Sequence, residues 1–162
     1  MRLPCEICLF IFPLWGCSSS VVVEDSEQLK QAVSGIERSG GEVRFDPIDK
    51  SKVSGVVFNH VAVTEKDLMN LRRFSDLRHL ELLGVQLTDA GLTHLSGLRK
   101  ISSLCLQKNK ITGAGMTHLK DLTELRELSL SNTEVGDAGI DHLGGLRNLF
   151  YLNLAETDVT GK

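Results

Sequence analysis

The chain is short of aromatic residues, prolines and cysteines, and each shortage excludes something. Phe, Trp and Tyr make up 5% of its 162 residues, so a core must come from aliphatic side chains, with little ring stacking. Three prolines leave long stretches free to form regular backbone. Of the four cysteines, Cys5 and Cys8 lie in an apolar leader, without the strand and helix of a redox CxxC site. Beyond it only Cys17 and Cys105 remain, and with Cys17 modified no intramolecular disulfide is possible, so stability must then come from packing. A net charge of −3 supplies no overall positive field for nucleic acid. No apolar run is long enough to span a bilayer as a helix. There is no glycine-rich phosphate loop and no pair of catalytic carboxylates, so neither an enzyme nor a cofactor is expected.

What is abundant is leucine, at a fixed interval. Leu77, Leu80, Leu82, Leu87, Leu92, Leu95 and Leu98 recur 24 residues later as Ile101, Leu104, Leu106, Ile111, Met116, Leu119 and Leu122. A further 24 residues bring Leu125, Leu128, Leu130, Val135, Ile140, Leu143 and Leu146. The same register runs backwards through Val53, Val56, Phe58, Val63, Leu68, Leu71 and Phe74, and forwards through Leu149, Leu152, Leu154 and Val159. Such a period marks stacked coils, none of which can bury its apolar face alone. Within LxxLxL the last two leucines share one face of a short strand, and successive strands stack in parallel. Thr88, Thr112 and Thr160 are expected as helix N-caps, with Asp89 and Asp137 adding negative charge at helix starts. Gly91, Gly115 and Gly139 mark close approach to a neighbouring coil.

The pattern LxxLxL, an Asn or Thr, TDAGL and two further leucines resembles the leucine-rich repeat family over about two thirds of the chain. The nearest subtype is the 24-residue TDAGL repeat of bacterial surface proteins and lipoproteins. The resemblance implies an α/β solenoid, a horseshoe arc with a parallel concave sheet and short convex helices, which binds protein partners. It is also similar to the repeats of eukaryotic ubiquitin-ligase adaptors, which would make an adaptor for protein turnover a distant alternative. The position of their cysteine is held here by Val85, Asn109, Thr133 and Thr157, which speaks against that subtype.

Upstream, residues 1–16 read as a signal peptide, with Arg2 at its charged start and Ile7 to Trp15 as its apolar run. The boundary Leu14, Trp15, Gly16, Cys17 resembles the lipobox of bacterial lipoproteins. That resemblance implies that Cys17 takes a diacylglyceryl group and anchors the protein to the bacterial cell envelope; an ordinary signal peptide or a mis-assigned start is the alternative. Residues 17–24 would be a tether and 25–52 an N-terminal cap. In the cap, Leu29, Ala32, Val33 and Ile36 give a helical stripe started at Asp25 and stopped at Gly40 and Gly41. Glu42 to Asp46 alternates as a half-buried strand ended by Pro47. The repeats then fill 53–162 as coils 53–76, 77–100, 101–124 and 125–148 and a partial coil 149–162.

Two clusters invite a chemical reading. His94, His118 and His142 share one repeat position, but three imidazoles without a recurring acidic or thiol partner favour packing or capping over metal binding. Cys105 should lie beside Glu81 and diagonally from His79. A neighbouring carboxylate raises a thiol pKa, the wrong direction for a nucleophile.

That leaves the concave surface, whose residues differ from coil to coil while the core positions repeat. His79, Glu81, Leu83, Gln107, Glu127, Ser129, Tyr151 and Asn153 are the candidate protein-binding residues, with Tyr151, Leu83 and His79 as anchors. The leading expectation is a non-enzymatic, lipid-anchored binding module with a protein partner, no metal and no nucleic acid. The alternative is a self-assembling array, or a fragment of a longer one, pairing through an open edge strand at Leu149 to Leu154.

Overall fold

A computed structural model describes residues 19–161, with side chains described from residue 27 onward. The signal-peptide reading and Cys17 lie outside the described residues. The elements in order are α1 (Ser19–Arg38), β1 (Glu42–Phe45), β2 (Val53–Asn59), α2 (Glu65–Leu71), β3 (His79–Leu83), α3 (Asp89–Leu92), β4 (Ser103–Cys105), β5 (Glu127–Ser129), α4 (Asp137–Asp141) and β6 (Tyr151–Asn153). The strands form one sheet in sequence order. Strand β1 is antiparallel to β2, and β2 to β6 are parallel. Among the described residues no helix is long and apolar enough to cross a membrane.

The cap begins earlier than expected. Helix α1 starts at Ser19 and not at Asp25, so residues 19–24 belong to the helix and not to a tether. No Gly or Pro interrupts Ser19 to Ser34, and a nucleated helix propagates cheaply through such a stretch. Its end matches the glycine expectation. Gly40 has φ 82°, and the amides of Gly40 and Gly41 donate to Glu37 O at 3.1 Å and Ile36 O at 2.9 Å. These are the paired bonds of a Schellman cap. Strand β1 departs from simple alternation. A register shift between Arg44 and Phe45 breaks the alternation of faces, and Phe45 stays 44% exposed.

The coil register is obeyed throughout the core. Val56, Phe58, Leu80, Leu82, Leu104, Leu106, Leu128 and Leu130 are at most 2% exposed. The convex apolar side chains Leu92, Leu95, Met116, Leu119 and Leu122 face them at 0%. In the last coil Leu149, Leu152 and Leu154 are only partly buried. Strand by strand the pairing advances by 24 residues: His79 faces Ser103, Ser103 faces Glu127, and Glu127 faces Tyr151.

One feature of every coil left no trace in the repeat letters. His60, Gly84, Lys108, Asn132 and Glu156 stand 24 residues apart, and all have φ between 55° and 61°. This left-handed residue turns the chain out of the strand, and from His60 to Asn132 its amide donates to the next coil, at Leu83, Gln107, Ser131 and Ala155 O. Only Gly84 is a glycine. The others accept a backbone cost of about 1 to 2 kcal/mol each, less for Asn132, whose side chain tolerates the region.

Coils are also tied by side chains. Asn109 is 4% exposed. Its Oδ1 accepts from the amides of Val85 and Leu87 at 3.1 and 3.0 Å, and its Nδ2 donates to Leu82 O and Leu106 O at 2.6 and 2.9 Å. On the convex side Asp89 accepts from the amide and hydroxyl of Thr112 at 2.9 and 2.7 Å. Asp137 does the same for Thr160, at 2.8 and 2.5 Å. The aspartates therefore clasp the following coil, beyond their placement in the first turns of α3 and α4. Thr112 caps Ala114 N at 3.2 Å, whereas Thr88 makes no side-chain cap bond. A full capping box occurs instead at Thr64 and Asp67, and Asp67 also accepts from Ser39 at 2.9 Å, joining cap to array.

Between the third and fourth coils both partners of the clasp are missing, replaced by Gly113 and Gly136. The backbones close up there: a Cβ on Gly139 would stand 2.7 Å from Gly113 Cα. The convex segment of the third coil, Gly113–His118, is correspondingly a 3-10 turn and not an α-helix. Glycine at its first and third positions weakens α-helix formation.

Replacing Asn109 with Ala strands the buried amides of Val85 and Leu87. Urea denaturation should show a loss of about 2 to 5 kcal/mol. A loss under about 0.5 kcal/mol would mean water satisfies those amides equally well.

Candidate functional site

The concave face is set out by the pleat. Residues alternating with the core leucines fall into rows across the strands. The first row is Gly55, His79, Ser103, Glu127 and Tyr151, and the second is Val57, Glu81, Cys105, Ser129 and Asn153. Arg44 of β1 crosses this face above Gly55, where an added Cβ would lie 3.4 Å from the Arg44 Cβ.

Much of the face is satisfied by itself. Arg44 Nε donates to Glu42 Oε1 at 2.8 Å, and this bond, aided by the arginine's charge, holds the Glu42 carboxyl below the usual range. Ser103 Oγ donates to Glu127 Oε2 at 3.0 Å, and Gln107 Nε2 to Ser129 Oγ at 2.6 Å. The Asn59 amide nitrogen, turned towards Glu81, donates to Oε1 at 2.8 Å. Ser129 is consequently only 8% exposed, covered by Gln107, and offers little of itself to a partner. Asn153 accepts from the amide of Ala155 at 3.0 Å.

Of the candidate contact residues, the structure leaves His79, Glu127 and Tyr151 exposed in one row, and Glu81, Leu83, Gln107 and Asn153 half-buried. Tyr151 is 52% exposed beside Glu127. Phe150, immediately before it, is 74% exposed and escaped the sequence reading because it lies outside the LxxLxL alternation. Its repeat position carries Arg78, Ser102 and Arg126, and only comparison down that column singles it out.

The surroundings of Cys105 do not activate its thiol. Cys105 pairs with Glu81 across the ladder, as the register implies. Its thiol is pushed up above the usual range mainly by burial, with Glu81 adding to this and the Gln107 amide opposing it. Of the two raising causes, the Glu81 charge is the smaller. On the convex side, His94 Nε2 approaches Glu65 Oε1 at 3.8 Å, at the rim of an open cleft of about 290 Å³ floored by Val63, Leu68 and Leu87. Among the described residues no group of three or more His, Cys, Asp or Glu is placed to hold a metal ion.

Residues 99–159 match the family model described as leucine rich repeat. No curated protein sequence matches the chain. Among solved structures, an internalin (inlF) of Listeria monocytogenes is 32% identical at a TM-score of 0.51, over 58% of this chain and 26% of that one. The leucine-rich repeat ectodomain of the Arabidopsis thaliana receptor kinase GASSHO1/SCHENGEN3 is 27% identical at a TM-score of 0.54, over 72% of this chain and 14% of its own. A second Listeria internalin, inlC2, shares the fold at 20% identity and a TM-score of 0.53, over 82% of this chain and 66% of that one. The chain thus spans less than two thirds of the length of each of these three structures. The repeat match over residues 99–159, the 24-residue register and the parallel sheet together give the chain the leucine-rich repeat solenoid fold.

Proposed function

We propose that the protein is a non-enzymatic binding module that engages a protein partner through its concave sheet. The observation that carries this reading is the row His79, Glu127 and Tyr151, exposed on a scaffold whose intervening side chains are buried or bonded to one another. A rigid surface loses little conformational entropy on binding, and a half-exposed tyrosine beside a carboxylate supplies an apolar anchor with a polar handle. The leucine-rich repeat fold commonly serves protein binding. The Arabidopsis ectodomain was solved in complex with Casparian strip integrity factor 2, which supports the same use here.

The second part of the proposal is anchoring through an acylated Cys17 on a bacterial cell envelope, which rests on Leu14 to Cys17. An acylated cysteine at the mature N-terminus is the expected result of intact mass analysis. A free thiol at Cys17, or an uncut leader, would remove the anchor from the account.

For the concave face, a photocrosslinking residue is placed at Tyr151 and, separately, at Lys120 on the convex side of the intact protein in its cell. A discrete adduct at Tyr151, absent at Lys120 and weakened at least about tenfold by Glu127→Arg, is the expected pattern. Equal adducts at both sites would contradict concave binding.

A further inference from the structure

Strands β2 to β6 are parallel, so their first residues lie along one rim of the sheet. The loop from β1 to β2 joins that rim, because Phe45 at the end of β1 faces Val53 at the start of β2. The net charge of −3 conceals what is gathered there. Lys50, Arg78, Arg99, Arg126 and Arg147 are all exposed. Lys52 and Lys100 are spent on Asp49 and Asp76, at 3.1 and 2.8 Å. Of the remaining rim carboxylates, Asp46 accepts from the amides of Ile48 and Asp49, both at 2.9 Å, which keep it ionised within the field of Arg78, and Glu124 adds a second counter-charge, so cations still outnumber carboxylates on this rim. None of the five exposed cations has a carboxylate ion pair among the described residues. The opposite rim sets Lys108 and Lys110 against Glu134, Glu156 and Asp158.

Apolar exposure is concentrated on the same rim. Among the described residues the two most exposed large hydrophobic side chains are Ile48, at 95%, and Phe150, at 74%. Ile48 lies in the β1–β2 loop and Phe150 immediately precedes β6. Their strands are four steps apart, or about 19 Å at the usual strand spacing. The exposure of Phe150 belongs to its repeat position: Arg78 and Arg126, at the same position in coils flanked on both sides, are exposed as well.

From these observations we infer that this rim docks on an anionic phospholipid surface, with the arginines over the headgroups and Ile48 and Phe150 entering the interfacial layer. A bilayer accepts two separate apolar wedges with cations between them. A folded acidic protein would need a contiguous apolar patch at the centre of the contact, and here the cleft between the wedges is polar, lined by Arg78, Lys100, Glu124 and Arg126. The inference is independent of Cys17 and of the concave partner.

The test uses the full chain carrying Cys17→Ser, sedimented with phosphatidylcholine vesicles with and without phosphatidylglycerol. Any contribution of the apolar leader is common to both vesicle types, so the anionic preference is the readout. It should be at least about tenfold at low salt. The pair Arg78→Glu and Arg126→Glu should abolish it, and Ile48→Ser with Phe150→Ser should reduce it severalfold. Lys108→Glu with Lys110→Glu makes the same change in net charge on the other rim and should leave it intact. No anionic preference, an equal loss in the Lys108 and Lys110 pair, or full binding without the apolar wedges would each overturn the assignment.

Discussion

A 24-residue coil brings one short strand and one short helical segment, so its inward leucines have nothing but the neighbouring coils to cover them. That mutual cover is the constraint on which the remaining structure depends. It requires parallel strands in strict register, and it requires small residues where convex segments approach. It also explains the cap, since α1 and β1 close the first coil, with Ala32 and Ile36 at 1% and 0% exposure in the common core. Energy so distributed is close to nearest-neighbour in form. Side chains that bond one coil to the next, Asn109 and the two aspartate–threonine clasps, matter more here than their number suggests.

The core was legible in the sequence because burial acts on residue type. A position that must be apolar in every coil writes the same letters every 24 residues, and even the degenerate first coil kept them. Backbone conformation writes no such record: His60, Gly84, Lys108, Asn132 and Glu156 share one left-handed geometry and no chemical property. The clasps were half legible. Asp89 and Asp137 read as helix-start charges, because their threonine partners lie 23 residues away. Their common loss at Gly113 and Gly136 makes sense only once the two are seen to touch the same junction.

Surface function is the least legible level. Composition gave a mildly acidic chain, yet cations outnumber carboxylates on one rim and not on the other, an imbalance that parallel strands create and a net charge erases. On the concave face the sequence picked out the positions by alternation. It could not tell that Gln107 would cover Ser129, or that Ser103 would donate to Glu127. Such pairings depend on side-chain reach across strands, and they reduce eight candidates to a smaller set with atoms free for a partner.

In the proposed division of labour, inward leucines hold the arc and the exposed concave row makes contact. The most direct measurement takes one variant, His79→Ser with Glu127→Ser and Tyr151→Ser, and reads two quantities on it. Its urea stability should stay within about 1 kcal/mol of the parent, as exposed sites allow, while its crosslinked adduct from a probe at Asn153 on the same face disappears. A loss of several kcal/mol, or an undiminished adduct, would show that these residues belong to the scaffold or that the contact lies elsewhere.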